Sequence, residues 1–212
     1  MNLGAIRTHF KDLLNRTDIT DDLITKFIDQ GVDRISRVLR IPELEKTQAY
    51  SITSSTTEVT IPTTFLETID LFHSSGFILD RIPMSKMVAL RSNAKNGNPL
   101  YYARQGDKFQ IYPYPTDGTL TLNYYAEPDS LYDNGSTYVS SDDDTNETTF
   151  TKKAADLIIY SALTYAGLYY LDEREATFEE KYRMLLAELQ SEADDRELHG
   201  GTQVMNTAYT YD

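Results

Sequence analysis

Apolar residues recur at helical spacing in two widely separated stretches of this 212-residue chain. Ile24, Phe27, Ile28, Val32, Ile35, Val38 and Leu39 make the first stripe, and Leu157, Ile158, Ala162, Tyr165, Ala166 and Tyr169 make the second. A helix with one apolar face must bury it against another element, and neither short block can do so alone. The two ends of the chain are therefore expected to pack together, with the middle emerging as an insertion. The fold class this predicts is α+β: an antiparallel α-helical bundle base formed by the N- and C-terminal helices, with an inserted antiparallel β-sheet module. The expected divisions are residues 1–45 and 150–200 for the helical base, 46–127 for the β-rich module, 128–149 for an acidic loop and 201–212 for a C-terminal tail.

Start and stop signals refine the helices. Leu3, Ile6, Phe10, Leu13 and Leu14 predict a short first helix, broken over residues 15–18. Thr20 reads as the N-cap of a second, with Asp21 and Asp22 in the first turn where exposed amides favour negative charge. That helix is expected to run to about Arg40, since Pro42 disfavours the helical region at Ile41. Gly31 lies beside the apolar stripe and is open to two readings, close approach of another backbone or a tolerated surface glycine. A third helix is expected from about 151 to 171 after a Thr-rich lead-in. Asp172 and Glu175 have the spacing of a capping box for a fourth, whose apolar face is Phe178, Tyr182, Leu185, Leu186 and Leu189.

Between residues 47 and 126 the period changes. Val59 and Ile61 mark one strand, Ile69 and Leu71 a second, and residues 83–90 a short helix. The clearest β signal follows: 100–104, a turn at Gln105-Gly106-Asp107, 108–112, a turn near Asp117-Gly118, and 119–125. In the last of these Leu120, Leu122 and Tyr124 alternate with Thr121, Asn123 and Tyr125. These three strands predict an antiparallel meander, with Pro113 and Pro115 ending the middle one. Residues 127–150 carry seven acids and no Lys or Arg, so an irregular acidic loop is expected there.

Composition narrows the function. The 33 acidic against 20 basic residues give a net charge of −13, which argues against a general grip on nucleic-acid phosphates but not against DNA passing by. Cysteine is absent, which removes disulfides, thiolate chemistry and cysteine-based zinc sites. No apolar run approaches 18 residues and the start lacks a signal-peptide core, so a chain made in a cytosol and free of membrane is expected.

Motifs for catalysis are missing: there is no phosphate-binding glycine loop, no nucleophile elbow and no paired metal histidines. His9, His73 and His199 lie in three separate segments, and the bland readings are a strand end for His73 and a helix C-terminal cap for His199. Asp142, Asp143 and Asp144 lack the alternating spacing of a calcium loop and read first as a solvated run. The expectation is no catalytic residue, no metal and no cofactor. Tyr101, Tyr112, Tyr114 and Tyr125 sit among adjacent candidate strands, where sheet packing combined with a protein interface outweighs stacking on single-stranded nucleic acid, because few bases surround them.

Three strings resemble tailed-phage head-to-tail adaptor proteins, which dock below the portal. They are Phe27-x-x-x-Gly31-x-x-x-Ile35-x-Arg37-x-Leu39-Arg40-Ile41-Pro42-x-Leu44-Glu45; then Phe109-x-Ile111-Tyr112-Pro113-x-Pro115 with Leu120-x-Leu122-x-Tyr124-Tyr125 and Asp129-x-Leu131; and Ala155-Asp156-Leu157-x-x-Tyr160-x-Ala162-Leu163-x-x-Ala166, with Tyr169, Leu171, Asp172 and Tyr182 beyond. The resemblance implies a homo-oligomeric ring, typically of twelve subunits, in the neck of the virion and synthesised in the host bacterial cytoplasm. Such a ring extends the DNA channel, carries the next tail, nozzle or fibre component and helps retain the genome.

On that basis Phe27, Gly31, Ile35, Leu39, Leu157 and Tyr165 are candidates for core or ring packing. The C-terminal segment, with Leu198, Val204, Met205, Tyr209 and Tyr211, is the candidate portal contact, and Tyr101, Tyr112, Tyr114 and Tyr125 the candidate tail-side interface. In a ring, inward carboxylates repel the DNA backbone and let it pass, which makes Asp142, Asp143, Asp144, Glu188, Glu192, Asp194 and Asp195 candidates for channel lining; a merely solvated acidic surface is the alternative. The rival readings are another neck, tail-completion or tail-terminator protein and, further off, a metal-dependent hydrolase.

Overall fold

The structure is a computed structural model, and it describes residues 1–93, 95–132 and 141–198. In chain order the elements are α1 (Leu3–Leu14), α2 (Asp21–Ser36), β1 (Glu45–Ile52), β2 (Glu58–Thr60), β3 (Phe65–His73), β4 (Asp80–Arg81), α3 (Met84–Arg91), β5 (Tyr101–Gln105), β6 (Lys108–Tyr112), β7 (Gly118–Ala126), α4 (Thr149–Tyr170) and α5 (Glu175–Leu198). This is an α+β protein whose N- and C-terminal helices flank a central β module in sequence. The chain divides into two compact units, residues 1–43 with 128–212 and residues 44–127.

In the helical unit α4 packs against α1, α2 and α5. It is buried on most of its circumference, and accordingly it is the most apolar helix of the chain, with Leu157, Ile158, Ile159, Ala162, Leu163 and Ala166 all in the core. Its N-terminus is closed by a reciprocal cap: Thr148 Oγ1 accepts from the Thr151 amide at 3.1 Å and Thr151 Oγ1 accepts from the Thr148 amide at 2.9 Å. Asn2 caps α1 by accepting from the Ala5 amide, and Thr20 caps α2 as the sequence predicts. Helix α2 stops at Ser36, short of Arg40. Gln190 of α5 takes both backbone groups of Arg40, accepting from its N–H at 3.1 Å and donating to its carbonyl at 3.0 Å. Helix α5 starts at Glu175, and the Asp172 carboxylate accepts from the amide and guanidinium of Arg174, the first of these being the bond an N-cap makes. Those bonds to Arg174, above all from its side chain, pull the Asp172 carboxyl down to about 2.

Where α2 meets α4, Gly31 removes the side chain that would separate them. A Cβ at Gly31 would lie 3.0 Å from the Ala162 nitrogen and 3.3 Å from the Ile158 carbonyl oxygen. Ser161 Oγ donates to the Gly31 carbonyl at 3.2 Å across the same contact. Close backbone approach is therefore the reason for this glycine.

The β unit contains two sheets, ordered β1-β7-β3 and β2-β6-β5-β4. Their inward residues share one core, in which Ile52, Leu71, Leu120, Leu122 and Tyr124 of the first sheet join Val59, Tyr102, Phe109 and Ile111 of the second. On the other face of the second sheet, Ala103 and Tyr112 pack with Ile82 and with Met87 of α3 in a smaller cluster. The alternation along β5 and β6 thus sends side chains to two different cores.

The meander expected from β5, β6 and β7 is replaced by a change of sheet. β5 and β6 form the antiparallel hairpin, but β7 pairs with β1 and β3. Pro113 and Pro115 offer no amide to a ladder, so pairing with the β5 side ends at Tyr112 and the chain crosses to the other sheet. β1 has no counterpart in the sequence reading: as an edge strand it is mostly exposed and alternates too weakly to be seen. The β4–β5 pair is parallel, although only two residues long.

His73, at the end of β3, is buried, and its Nδ1 accepts from the Ser75 amide at 3.2 Å. Nδ1 also lies 2.6 Å from Ser75 Oγ, while Nε2 faces Gly118 with no hydrogen-bond partner among the described residues. Burial pushes the His73 pKa below its ordinary 6.5. The unfolded chain then binds more protons than the folded one, so this contribution to stability is complete above about pH 6.5 and falls as the pH drops through that value. The expected result is a β unit that melts lower at pH 5 than at pH 7.5, with part of the difference absent in His73→Asn. An NMR titration of the His73 ring placing its midpoint at or above 6.5 would contradict the assignment.

Candidate assembly surfaces

The packing candidates fall into the helical core. Phe27, Gly31, Ile35, Leu39 and Leu157 are buried, while Tyr165 is half-buried. Around them sit polar contacts that periodicity does not reveal. Arg7 is buried on α1, donates to Thr25 Oγ1 at 2.6 Å and lies 3.5 Å from Asp21 and 3.4 Å from Asp144. Arg34 makes a two-point ion pair with Glu179, both bonds 2.8 Å, while its guanidinium stacks 4.0 Å from the Tyr182 ring. That pairing holds the Glu179 carboxyl below its ordinary range. Isolated Arg and Glu residues carry no signal of partners some 145 positions apart.

The acidic segment is partly folded. Residues Ser141–Thr145 form a 3-10 turn that packs on α1, and the Asn146 carbonyl accepts from the Leu3 amide at 2.9 Å. Asp143 is only 3% exposed and Asp144 lies against Arg7. This corrects the expectation of a uniformly solvated acidic run. The physical reason is the Arg7 guanidinium together with Gly4, where a Cβ would meet Asp144 at 2.8 Å. The side chain of Asp142 lies outside the described residues. On α5, Glu188 is exposed; Glu192 pairs with Lys153 and Arg196, Asp194 accepts from Gln190, and Asp195 has an interaction of its own.

The four candidate tyrosines divide. Tyr112 is 6% exposed and donates to the Asn93 carbonyl at 2.8 Å, so it is a core residue of the module and is withdrawn from the interface set. Tyr101, Tyr114 and Tyr125 are half-buried, which leaves ring area at the surface. Of the portal candidates, Val204, Met205, Tyr209 and Tyr211 lie outside the described residues, as does the side chain of Leu198. His199 lies outside them too.

One further surface stands out at the end of α4. Leu168, Tyr169 and Leu171 are exposed, and Leu171 is 89% exposed in the left-handed conformation, φ +54°. That conformation costs a non-glycine residue roughly 1 kcal/mol.

Among the described residues, one grouping of acids is tied by an internal bond. A shallow cleft of about 320 Å³ is lined by Asp29, Asp33, Asp129 and Tyr132. There the Tyr132 hydroxyl donates to Asp29, and burial pushes the pKa values of both groups up. This ties residues 128–132 to α2 and positions no nucleophile. Among the described residues, no group of three or more His, Asp or Glu side chains is placed to hold a metal ion, and no helix is long and apolar enough to cross a membrane.

A helical core carrying a β insertion, with apolar and tyrosine side chains at its surface, is an architecture suited to assembly with other chains. The sequence model of the SU10 adaptor protein family matches residues 1–205, and the chain belongs to that family. It is therefore a phage head-to-tail adaptor, a structural component of the virion and not an enzyme. No match was found among curated proteins.

Proposed function

We propose that this adaptor forms a closed homo-oligomeric ring, of twelve copies, between the portal and the tail in the neck of the virion. Subunits made in the host bacterial cytoplasm assemble on the portal, extend the DNA channel, carry the next tail, nozzle or fibre protein and help retain the packaged genome. The observation that carries this reading is the family match across residues 1–205. Closed symmetry suits a subunit of this size, because each copy commits the same two faces to its neighbours.

The segment after Glu197, with Leu198, Val204, Met205, Tyr209 and Tyr211, docks on the portal. Tyr101, Tyr114 and Tyr125 face the tail side. Glu192, Asp194 and Asp195 along α5 line the channel, where carboxylates repel the phosphate backbone and double-stranded DNA passes without specific binding. A chain truncated after Glu197 is expected to lose portal binding on the order of tenfold or more in a sedimentation or surface-capture assay. Undiminished binding would remove the terminal segment from that role. A particle image at subunit resolution reads the copy number and the face α5 presents; α5 on the outside of the ring would sink the channel assignment.

A further inference from the structure

The two units differ sharply in charge. The helical unit carries 25 acidic and 13 basic residues, the β unit eight and seven, so nearly all of the net −13 belongs to the helices. Arginines follow the same division. Six of the eight arginines in the helical unit, Arg7, Arg16, Arg34, Arg174, Arg183 and Arg196, lie within ion-pair distance of a carboxylate. In the β unit none of the three does so among the described residues. Arg91 is used internally, donating to Gln110 and to the Ile111 carbonyl. Arg104 donates from Nε to the Gly106 carbonyl at 3.1 Å and lies 5.4 Å from the Phe65 ring, which leaves its charge uncompensated. Arg81 is exposed and makes no ion pair or side-chain hydrogen bond with a described residue.

These two arginines converge. Arg81 pairs in register with Tyr102 on β5, and Arg104 lies two residues further along the same strand, so both side chains belong to one face of the sheet while Asp80 belongs to the other. Arg81 and Arg104 line a cleft of about 370 Å³ together with Ile82, Pro83 and Met84. An arginine fork binds a carboxylate through two parallel hydrogen bonds, and two guanidinium groups at one cleft offer two such forks.

We propose that the Arg81–Arg104 cleft receives carboxylates from the helical unit of a second copy of this chain, with Glu180 and Glu188 of α5 as the donors. Both glutamates are exposed and form no ion pair with a described residue. The acidic excess of the helical unit supplies the complementary surface in every copy. DNA is the poorer occupant, since a phosphate grip needs an extended basic surface and this cleft offers two arginines in a chain of charge −13. The inference rests on the ring proposed above and names the charged part of its subunit contact.

The test uses the full chain in two settings, with purified portal and alone at high concentration, reading copy-to-copy assembly by mass photometry. Arg81→Glu with Arg104→Glu is expected to weaken assembly on the order of tenfold or more, with an unchanged thermal melt. Adding Glu180→Arg and Glu188→Arg to the same chain is expected to restore it. Full assembly by the double variant overturns the inference, as does a quadruple variant that folds but is not rescued. Portal binding by the wild type bears on the adaptor reading separately. A wild-type chain that binds portal yet makes no contact between copies in either setting overturns the cleft assignment alone.

Discussion

Replacing Gly31 by valine is expected to destabilise the helical unit by about 3 kcal/mol, lowering its melting temperature by roughly 6–12 °C. The new Cβ would stand 3.0 Å from the Ala162 nitrogen, 3.3 Å from the Ile158 oxygen and 3.3 Å from the Ser161 Cβ. Two of these atoms are α4 backbone and the third is fixed to it, so none can swing aside as a flexible side chain would. The second branch of valine widens the clash, and separating the helices would also stretch the Ser161–Gly31 hydrogen bond. Alanine at the same position makes the diagnostic comparison. It recovers about 1 kcal/mol of helix propensity against a smaller overlap, so its effect should be far milder than that of valine. Equal, small effects from both substitutions in thermal melts would mean that the helices do not approach this closely.

Phe109→Ala is expected to cost the β unit about 3–5 kcal/mol, the usual range for emptying a large aromatic site. Phe109 is 1% exposed and occupies the middle of the core shared by the two sheets. Its ring meets Phe65 at 5.8 Å and Tyr102 at 5.2 Å, both edge-to-face, so the substitution removes two aromatic contacts as well as buried area. Ile78→Ala is the control: Ile78 is 67% exposed, and its loss should change stability by no more than about 0.5 kcal/mol. The chain has no tryptophan, so segment-resolved hydrogen exchange is the suitable readout. Protection should fall across residues 44–127 in the Phe109 variant. A loss confined to residues 108–112 would show that the two sheets do not share a cooperative core.

Local signals read well wherever local physics decides. Thr20 caps α2, the Thr148–Thr151 pair caps α4, Gly106 sits in the β5–β6 turn at φ +63°, and Leu120, Leu122 and Tyr124 all turn inward. Each depends on neighbours within a few positions, and so does the periodicity that placed the two helical stripes. The family strings are of the same kind, since they spread over the whole chain but each is short. The tyrosines read less well. Tyr101 and Tyr112 are directly paired across β5 and β6, yet one keeps surface and the other is buried, because the Ile82 and Met87 side chains cover only part of that sheet face.

The sequence by itself determined where the helices and most strands lie, that the fold is α+β, that no cysteine chemistry is possible and that the chain resembles a phage adaptor. Only the tertiary structure decided that β7 leaves β6 to pair with β1 and β3, that Gly31 serves backbone approach, and that Asp143 and Asp144 fold onto α1. It also decided which arginines find carboxylates in their own unit, and that Arg81 and Arg104 meet at one cleft without them. The physical reason is separation along the chain: capping and alternation act over a few residues, whereas Arg7 with Asp144, or Arg34 with Glu179, join partners more than 130 positions apart. Such pairs are selected by packing and shared burial, which no short window of residues records.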